Sequence, residues 1–376
     1  MPPKTIPVDP NATPRASRRH ARNTRSLPAA SLDESPSRGN SQKTGGSRSH
    51  KADNIVYKTL LLKLPGVPEM QSFSESGSST HSRAPGKDEL DIKQSQQLHK
   101  VVPCPGIMHN LLRKLEESLK ARRPPAGNDP FMFLLTIEGR CAHLPGRICS
   151  EHDTAHWVHS AILRPAIAVV QYLLNNNTVT QDFPNISSVG GSPPVPDSVM
   201  FKYSRDAHNA VLTIEFKTHR ALGGDWTHAI HELLARAKNS DIPGAAAKFH
   251  WPDYEVTEFD KATKVLLQVW GQMRKWDANY AILSSYEYTY FLYKPELMSD
   301  TLYITDGFES DNSDLLPATV SFLALALGHY SPSDLGLPEP NIEHWNRASM
   351  VNFESTGLVP STYPPSAQAV NVKRHR

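Results

Sequence analysis

Asp197, Glu215 and Lys217 are the residues of this chain whose types and spacing best suit one shared piece of chemistry. They lie in PDSVMFKYSRDAHNAVLTIEFKTHR, Pro196 to Arg220. Two strand-like runs, Val199 to Tyr203 and Val211 to Thr218, flank a polar turn there, so the stretch predicts a β-hairpin. In an antiparallel pair, opposed residues have a constant sum of numbers. With the turn centred on Asp206, Asp197 and Glu215 sum to 412, twice 206, and stand across from each other. Their β-carbons would then be ~5 Å apart on one sheet face. Lys217, two residues on, shares that face, while Phe216, Ile214 and Leu212 point the other way, into a core. Two carboxylates so close repel unless something neutralises them. A lysine can do this as an ion pair, and a divalent cation can do it more fully. Mg²⁺ prefers hard oxygen ligands and commonly takes one or two carboxylates plus waters and phosphate oxygens. Lys217 could orient or activate a water, or hold a phosphate. Such parts suit metal-assisted phosphodiester hydrolysis. The plainer alternative is an exposed strand with alternating acids and lysines, since Glu-x-Lys is a short and common pattern.

Helices and further strands must position this hairpin. Met108 to Arg123 has helical spacing and ends in a basic cluster before Pro124-Pro125. Phe131 to Glu138 reads as a short apolar strand. Asp153 caps a long apolar helical pattern through Leu174, which Pro165 should kink or divide. Asn175 to Pro194 reads as a loop, and Trp226 to Lys238 as a helix. Phe259 to Asp277 is a stronger helix, with Ala262, Val265, Leu266, Val269 and Met273 at helical spacing. Tyr280 to Ser284 and Tyr288 to Tyr293 form a second hairpin, and Leu315 to Gly328 a last helix. This order fits a mixed sheet covered by helices, an α/β arrangement, rather than a string of βαβ units.

The Pro196-Asp197 and Glu215-Phe216-Lys217 pair resembles the motif of the PD-(D/E)XK nuclease superfamily, which has the restriction-endonuclease-like fold. The stretch QVWGQMRKWDANYAILSSYEYTYFLYK, Gln268 to Lys294, is similar to the helix-then-hairpin portion of fungal members. Those members often occur beside a fungal-type protein kinase domain. The resemblance covers roughly residues 130–330. It implies a restriction-endonuclease-like mixed β-sheet core flanked by helices. It further implies Asp197 and Glu215 as ligands of Mg²⁺ or Mn²⁺, the Phe216 carbonyl as a third ligand, and Lys217 as the catalytic lysine. Gln268 matches the first residue of the family's Gln-x-x-x-Tyr helix motif, whereas the tyrosine position is Gln272. Members frequently place another acid on the first helix, for which Glu151 and Asp153 are candidates. No kinase motif follows residue 330. The implied activity is hydrolysis of nucleic acid, DNA foremost. The alternative is a catalytically inactive module of the same fold that binds nucleic acid or a protein partner.

The helix bearing Gln268 has its own pattern. Lys261, Lys264, Gln268, Gln272 and Lys275 recur at intervals of three or four beside the apolar stripe. Such a row could contact phosphates and sugars; on spacing alone, a solvated helix face is the favoured reading. Cys141, His143, Cys149 and His152 are four soft ligands of the kind zinc takes, though not at the spacing of a common finger. Loop polar residues and a buried thiol are the competing reading. His152, His156 and His159 share one helix face, as a surface or interface patch more than a metal site. His231-Glu232 lacks the second histidine of a zinc protease, and Gly223-Gly224 is too sparse for a phosphate-binding loop. Tyr286, Tyr288 and Tyr290 should share one sheet face, where packing explains them more simply than base stacking.

Composition bounds the rest. The 376 residues carry a net charge of only +2, so the chain as a whole is no obvious polyanion binder. Residues 1–50 hold nine Lys/Arg against three acids, giving +6 there and −4 over the remainder. That arm is poor in large apolar residues and predicts disorder. Its Arg18-Arg19-His20-Ala21-Arg22 cluster suits a nuclear address, a nucleic-acid arm or a solvated tail. The expected organisation is a low-complexity arm over 1–100, whose apolar island at Asn54 to Leu64 could dock as an accessory strand or helix, a folded domain over 101–330, and an irregular tail over 331–376. No apolar run approaches the ~20 residues of a membrane helix, and three cysteines are too few for a disulfide framework. An intracellular protein, with the nucleus as one compartment, is the expectation.

Overall fold

The computed structural model describes residues 55–66, 69–70, 90–104, 106–122, 130–141, 143–174, 185–190, 194–204, 207–222, 230–231, 234, 244–252, 261–296 and 300–341. All of them belong to the unit His50–Arg376; the unit Met1–Ser49, with its basic cluster, lies outside the described residues. The strands in chain order are β1 (Glu69–Met70), β2 (Lys100–Pro103), β3 (Arg147–Ile148), β4 (Asn185–Ser187), β5 (Ser198–Ser204), β6 (Ala207–Phe216), β7 (Ala247–Lys248), β8 (Tyr280–Ser284), β9 (Tyr288–Tyr293), β10 (Thr301–Ile304) and β11 (Phe308–Glu309). Among the described residues, nine of them form one sheet in the order β4-β5-β6-β8-β9-β10-β2-β7, with β11 beside β9. The β6–β8 and β10–β2 pairs are parallel and the other pairs of this sheet antiparallel, so the sheet is mixed.

Helices cover both faces. α1 (Ile55–Leu60), α2 (Ile107–Lys120), α3 (Pro130–Leu135), α4 (Ile137–Cys141), α5 (Glu151–Val158), α6 (Arg164–Leu173), α7 (His219–Leu222), α8 (Lys261–Lys275) and α9 (Leu315–Ala326) follow one another along the chain. One face of the sheet presents Met200, Leu212, Ile214, Phe216, Ile282 and Phe291 to a core shared with α2, α6 and α9. The other presents Ala281, Leu283, Leu292, Leu302 and Ile304 to α8. Strand alternation divides each strand between these two cores, as a sheet buried on both sides requires. α9 is buried over its whole length, which explains why its sequence is apolar all round. Each fully buried aliphatic side chain contributes about 1.5–3 kcal/mol, so the two cores dominate the stability. No helix of the described residues is long and apolar enough to cross a membrane.

Several expectations are corrected. Phe131 to Glu138 is not a strand but the helices α3 and α4. A six-residue apolar run does not separate strand from helix, and Pro130 at the first helical position favours the helix. The hydroxyl of Thr136 accepts from Gly139 N and donates to the Phe133 carbonyl, separating α3 from α4. The stretch read as a loop after Leu174 contains β4, paired with β5. The apolar island holds α1, whose Val56 and Leu60 dock in the core, and Leu90 and Leu98 are buried too, so packed structure reaches back before Val101. Of the Trp226–Lys238 helix, only residues 230–231 and 234 are described, and they are helical.

Pro165 does divide the long helix. α5 continues into a π-helical turn, His159–Leu163, before α6 begins. Pro165 has no N–H to offer a carbonyl one turn back, and Arg164 N donates to the His159 carbonyl, five residues before it.

Candidate functional site

The site lies where β6 ends. Near the turn, the β5–β6 pairs Phe201↔Ala210 through Ser204↔Ala207 sum to 411. Beyond a bulge between Met200 and Phe201, the pairs Met200↔Leu212, Val199↔Thr213 and Ser198↔Ile214 sum to 412. The hairpin is therefore not centred on Asp206. One extra residue on β6, Val211, shifts the register to the one that sets Asp197 opposite Glu215. Had the 411 register run on, Asp197 would oppose Ile214 and face the other core, because a one-residue slip changes the face.

Asp197 lies just before β5, and its Oδ2 accepts from Phe216 N at 2.7 Å. At the same register Pro196 stands across from Phe216. The β5–β6 pairing ends at Ser198↔Ile214, and Pro196, having no N–H, could not extend it to the Phe216 carbonyl. Lys217 N donates to the Ser284 carbonyl at 3.0 Å and fastens the other side of β6 to β8. The Glu215 and Lys217 side chains are 6% and 5% exposed as residues, and Lys217 Nζ bonds Glu215 Oε1. Glu151 Oε1, at the start of α5, lies 3.6 Å from the same Nζ. Gln272 of α8 donates through Nε2 to Glu215 Oε2 at 2.7 Å and to the Val195 carbonyl at 3.3 Å.

Electrostatics follow from this packing. Burial of its carboxyl, then the charge of Glu215, pushes the Asp197 pKa up to about 7, against the pull of Phe216 N–H and Lys217. By accessible surface the residue as a whole is exposed. Burial alone would lower the Lys217 pKa; the charges of Glu215, Glu151 and Asp197 outweigh it and raise it, so Lys217 is held as an ammonium. Three carboxylates thus surround one cation, and a formal excess of negative charge remains once all are ionised.

These residues suit a hard cation. The donors are oxygens: two carboxylates, the Phe216 carbonyl at the ladder's end, and Gln272 Oε1, which is buried without a hydrogen-bond partner. Among the described residues no three His, Cys, Asp or Glu side chains converge as a metal group. A cation at Asp197 and Glu215 would therefore complete its shell with main-chain, amide and water oxygens, as Mg²⁺ commonly does.

The other sequence candidates sort clearly. Of the two acids at the start of α5, Glu151 reaches the site. Asp153 instead accepts from Cys149 N and Ser150 Oγ, while Ser150, not Asp153, is the N-cap residue. Gln268 lies one turn before Gln272 and is 1% exposed. The row is therefore not one solvent face: Gln268 and Gln272 are buried, while Lys264 is half-buried and Lys275 exposed. Cys141, His143, Cys149 and His152 form no metal group, and the cysteines are free. His152 and His156 remain neighbours at 6.0 Å, but His159 turns inward to Ser198 Oγ at 3.1 Å and packs edge-on against Phe216. Tyr286 leaves the face of Tyr288 and Tyr290: its φ of 69° sends it into the core of Trp157, where its hydroxyl donates to the Pro65 carbonyl. Gln272 and Glu151 complete the site, while the His159–Ser198 pair lies on the opposite face with Ile214 and Phe216. The sequence signal for Gln272 was its place one turn after Gln268. No family model, curated protein or solved structure matches this chain.

Proposed function

We propose that this chain carries a metal-dependent nuclease-like domain of restriction-endonuclease-like fold that hydrolyses phosphodiester bonds of nucleic acid, DNA foremost. The supporting observation is the bulged register: Asp197 faces Glu215 at the end of the strand that also bears Lys217. This is the arrangement implied by the resemblance to the PD-(D/E)XK superfamily. Asp197, Glu215 and the Phe216 carbonyl would hold Mg²⁺ or Mn²⁺. Such an ion, when bound, supplies positive charge to phosphoryl oxygens and to the attacking water. Lys217, held as an ammonium, would position a phosphate oxygen or that water and not accept its proton. Gln272 would hold Glu215 in place, and Gln268 would support it from the preceding turn.

Incubation with DNA in Mg²⁺ or Mn²⁺, and separately with a chelator, tests the reading. Cleavage should require the ion, and Asp197→Ala, Glu215→Ala and Lys217→Ala should each slow it by about a hundredfold or more. Cleavage that survives all three changes would sink the assignment. A second reading has its own support, since both Glu215 oxygens already have protein partners. It is a non-catalytic module of the same fold, and it expects nucleic-acid binding without turnover, unaffected by Glu215→Ala and weakened by removing residues 1–50.

A further inference from the structure

A cleft of about 620 Å³ opens at the far end of the sheet, away from Glu215 and Lys217. Its floor is a ladder of tyrosines. Tyr280 pairs across strands with Tyr293, and Tyr293 with Tyr303. Their rings lie 5.1 Å and 6.4 Å apart at small interplanar angles. Tyr280 and Tyr293 are 8% and 7% exposed, yet among the described residues neither hydroxyl has a hydrogen-bond partner. A nearly buried tyrosine whose hydroxyl has no partner and opens on a cleft can bond a ligand or water there.

The walls are negative. Asp277, Glu296 and Glu339 line the cleft, and none of them forms a salt bridge among the described residues. Asn279 directs its amide nitrogen to Glu296, and Lys294 stands behind it, donating to Asn279 Oδ1. The last turn of α9, Leu325 to Leu327, forms another wall. A helix C-terminus carries partial negative charge and favours cations. One cation is already attracted there: Lys202 Nζ donates to the Leu327 carbonyl at 3.3 Å.

We propose that this cleft binds a small organic cation bearing alkylammonium groups, its methylenes lying along the tyrosine ladder and its ammonium groups meeting the carboxylates and the unpartnered hydroxyls. Each part of the lining has a role in that fit. Aromatic faces attract ammonium groups. The carboxylates select positive charge, and the volume lies within the usual range for a small-molecule site. The assignment is independent of the chemistry at the other end of the sheet.

Calorimetric titration of the full chain with spermidine, at about 50 mM salt to limit screening, tests it. Saturable one-to-one binding is expected. The triple change Asp277→Asn, Glu296→Gln, Glu339→Gln should weaken it about tenfold, the joint effect of exposed charges. These side chains lie at the surface, so the fold should tolerate the change. Lys202→Met removes the competing cation and should tighten binding several-fold, about the effect of one exposed charge. The neutral 1,8-octanediol should not bind. Absence of saturable binding, equal affinity in the triple variant, weaker binding in Lys202→Met, or binding of the diol as strong as that of spermidine would each overturn the proposal.

Discussion

Asp197 is the residue through which pH reaches the site. Its carboxyl titrates near 7 in the folded chain and near 4 when unfolded. The folded state therefore holds the proton more tightly. The stability that this gives is fully present below about pH 4 and is lost as pH rises through 7. Asp197→Asn keeps an oxygen for Phe216 N–H and removes the titration. The variant should match the parent near pH 5 and exceed it at pH 8, by roughly 1 kcal/mol once solvent screening of this exposed residue is allowed for. Thermal melts at the two values measure the difference. A variant equally or less stable at pH 8 would mean that Asp197 ionises without cost. Mg²⁺ should narrow the gap at pH 8, because a cation at Asp197 offsets the same charge.

Between elements, the decisive contact joins α8 to the end of β6. Gln272 spans Glu215 and the Val195 carbonyl, so one amide ties the helix both to the strand and to the segment that delivers Asp197. Gln272→Leu leaves a buried carboxylate oxygen and a carbonyl without this donor and should cost about 1–3 kcal/mol. In a double-mutant cycle with Glu215→Gln, read by urea unfolding, the two residues should couple by about 1–2 kcal/mol. Strict additivity would deny that the amide holds the carboxylate. This contact also marks how far the sequence could be read. The hairpin residues alternate within one short segment, so Glu215, Lys217 and Phe216 were assigned to the right faces. Tyr280–Ser284 and Tyr288–Tyr293 were legible for the same reason. β2 and β10 were not, because four-residue strands that pair across two hundred positions leave no local pattern. The bulge at Val211 has no turn residue to announce it, and the correct sum of 412 arose from a turn centre that the pairing does not have. Helical spacing shows which residues share a face and not what that face meets, so it does not reveal that Gln272 packs on Glu215.

At the scale of the whole molecule, α1 is joined to the body of the fold through a charge that has no counter-charge among the described residues. Val56 and Leu60 enter the core, and the Thr59 carbonyl accepts from Arg140 Nη2 at 3.1 Å. Arg140 is fully buried, and its Nε and Nη1 have no hydrogen-bond partner among the described residues. Burial lowers its pKa to about 10, which still leaves it charged at neutral pH. Tyr286, close by, reaches the Pro65 carbonyl, so the α1 segment covers both residues at the end of the sheet that carries the candidate site. Burying an ion costs several kcal/mol, and one carbonyl bond returns about 1.5–3 kcal/mol of it. Apolar residues of similar volume often stabilise such positions. Arg140→Met should therefore raise the unfolding free energy by about 1–2 kcal/mol, measured by urea denaturation. Arg140→Lys, which keeps the charge and gives up the guanidinium plane, should not. A loss of stability in Arg140→Met would show that the guanidinium is paired in solution, and an anion held beneath α1 would then be the group to look for.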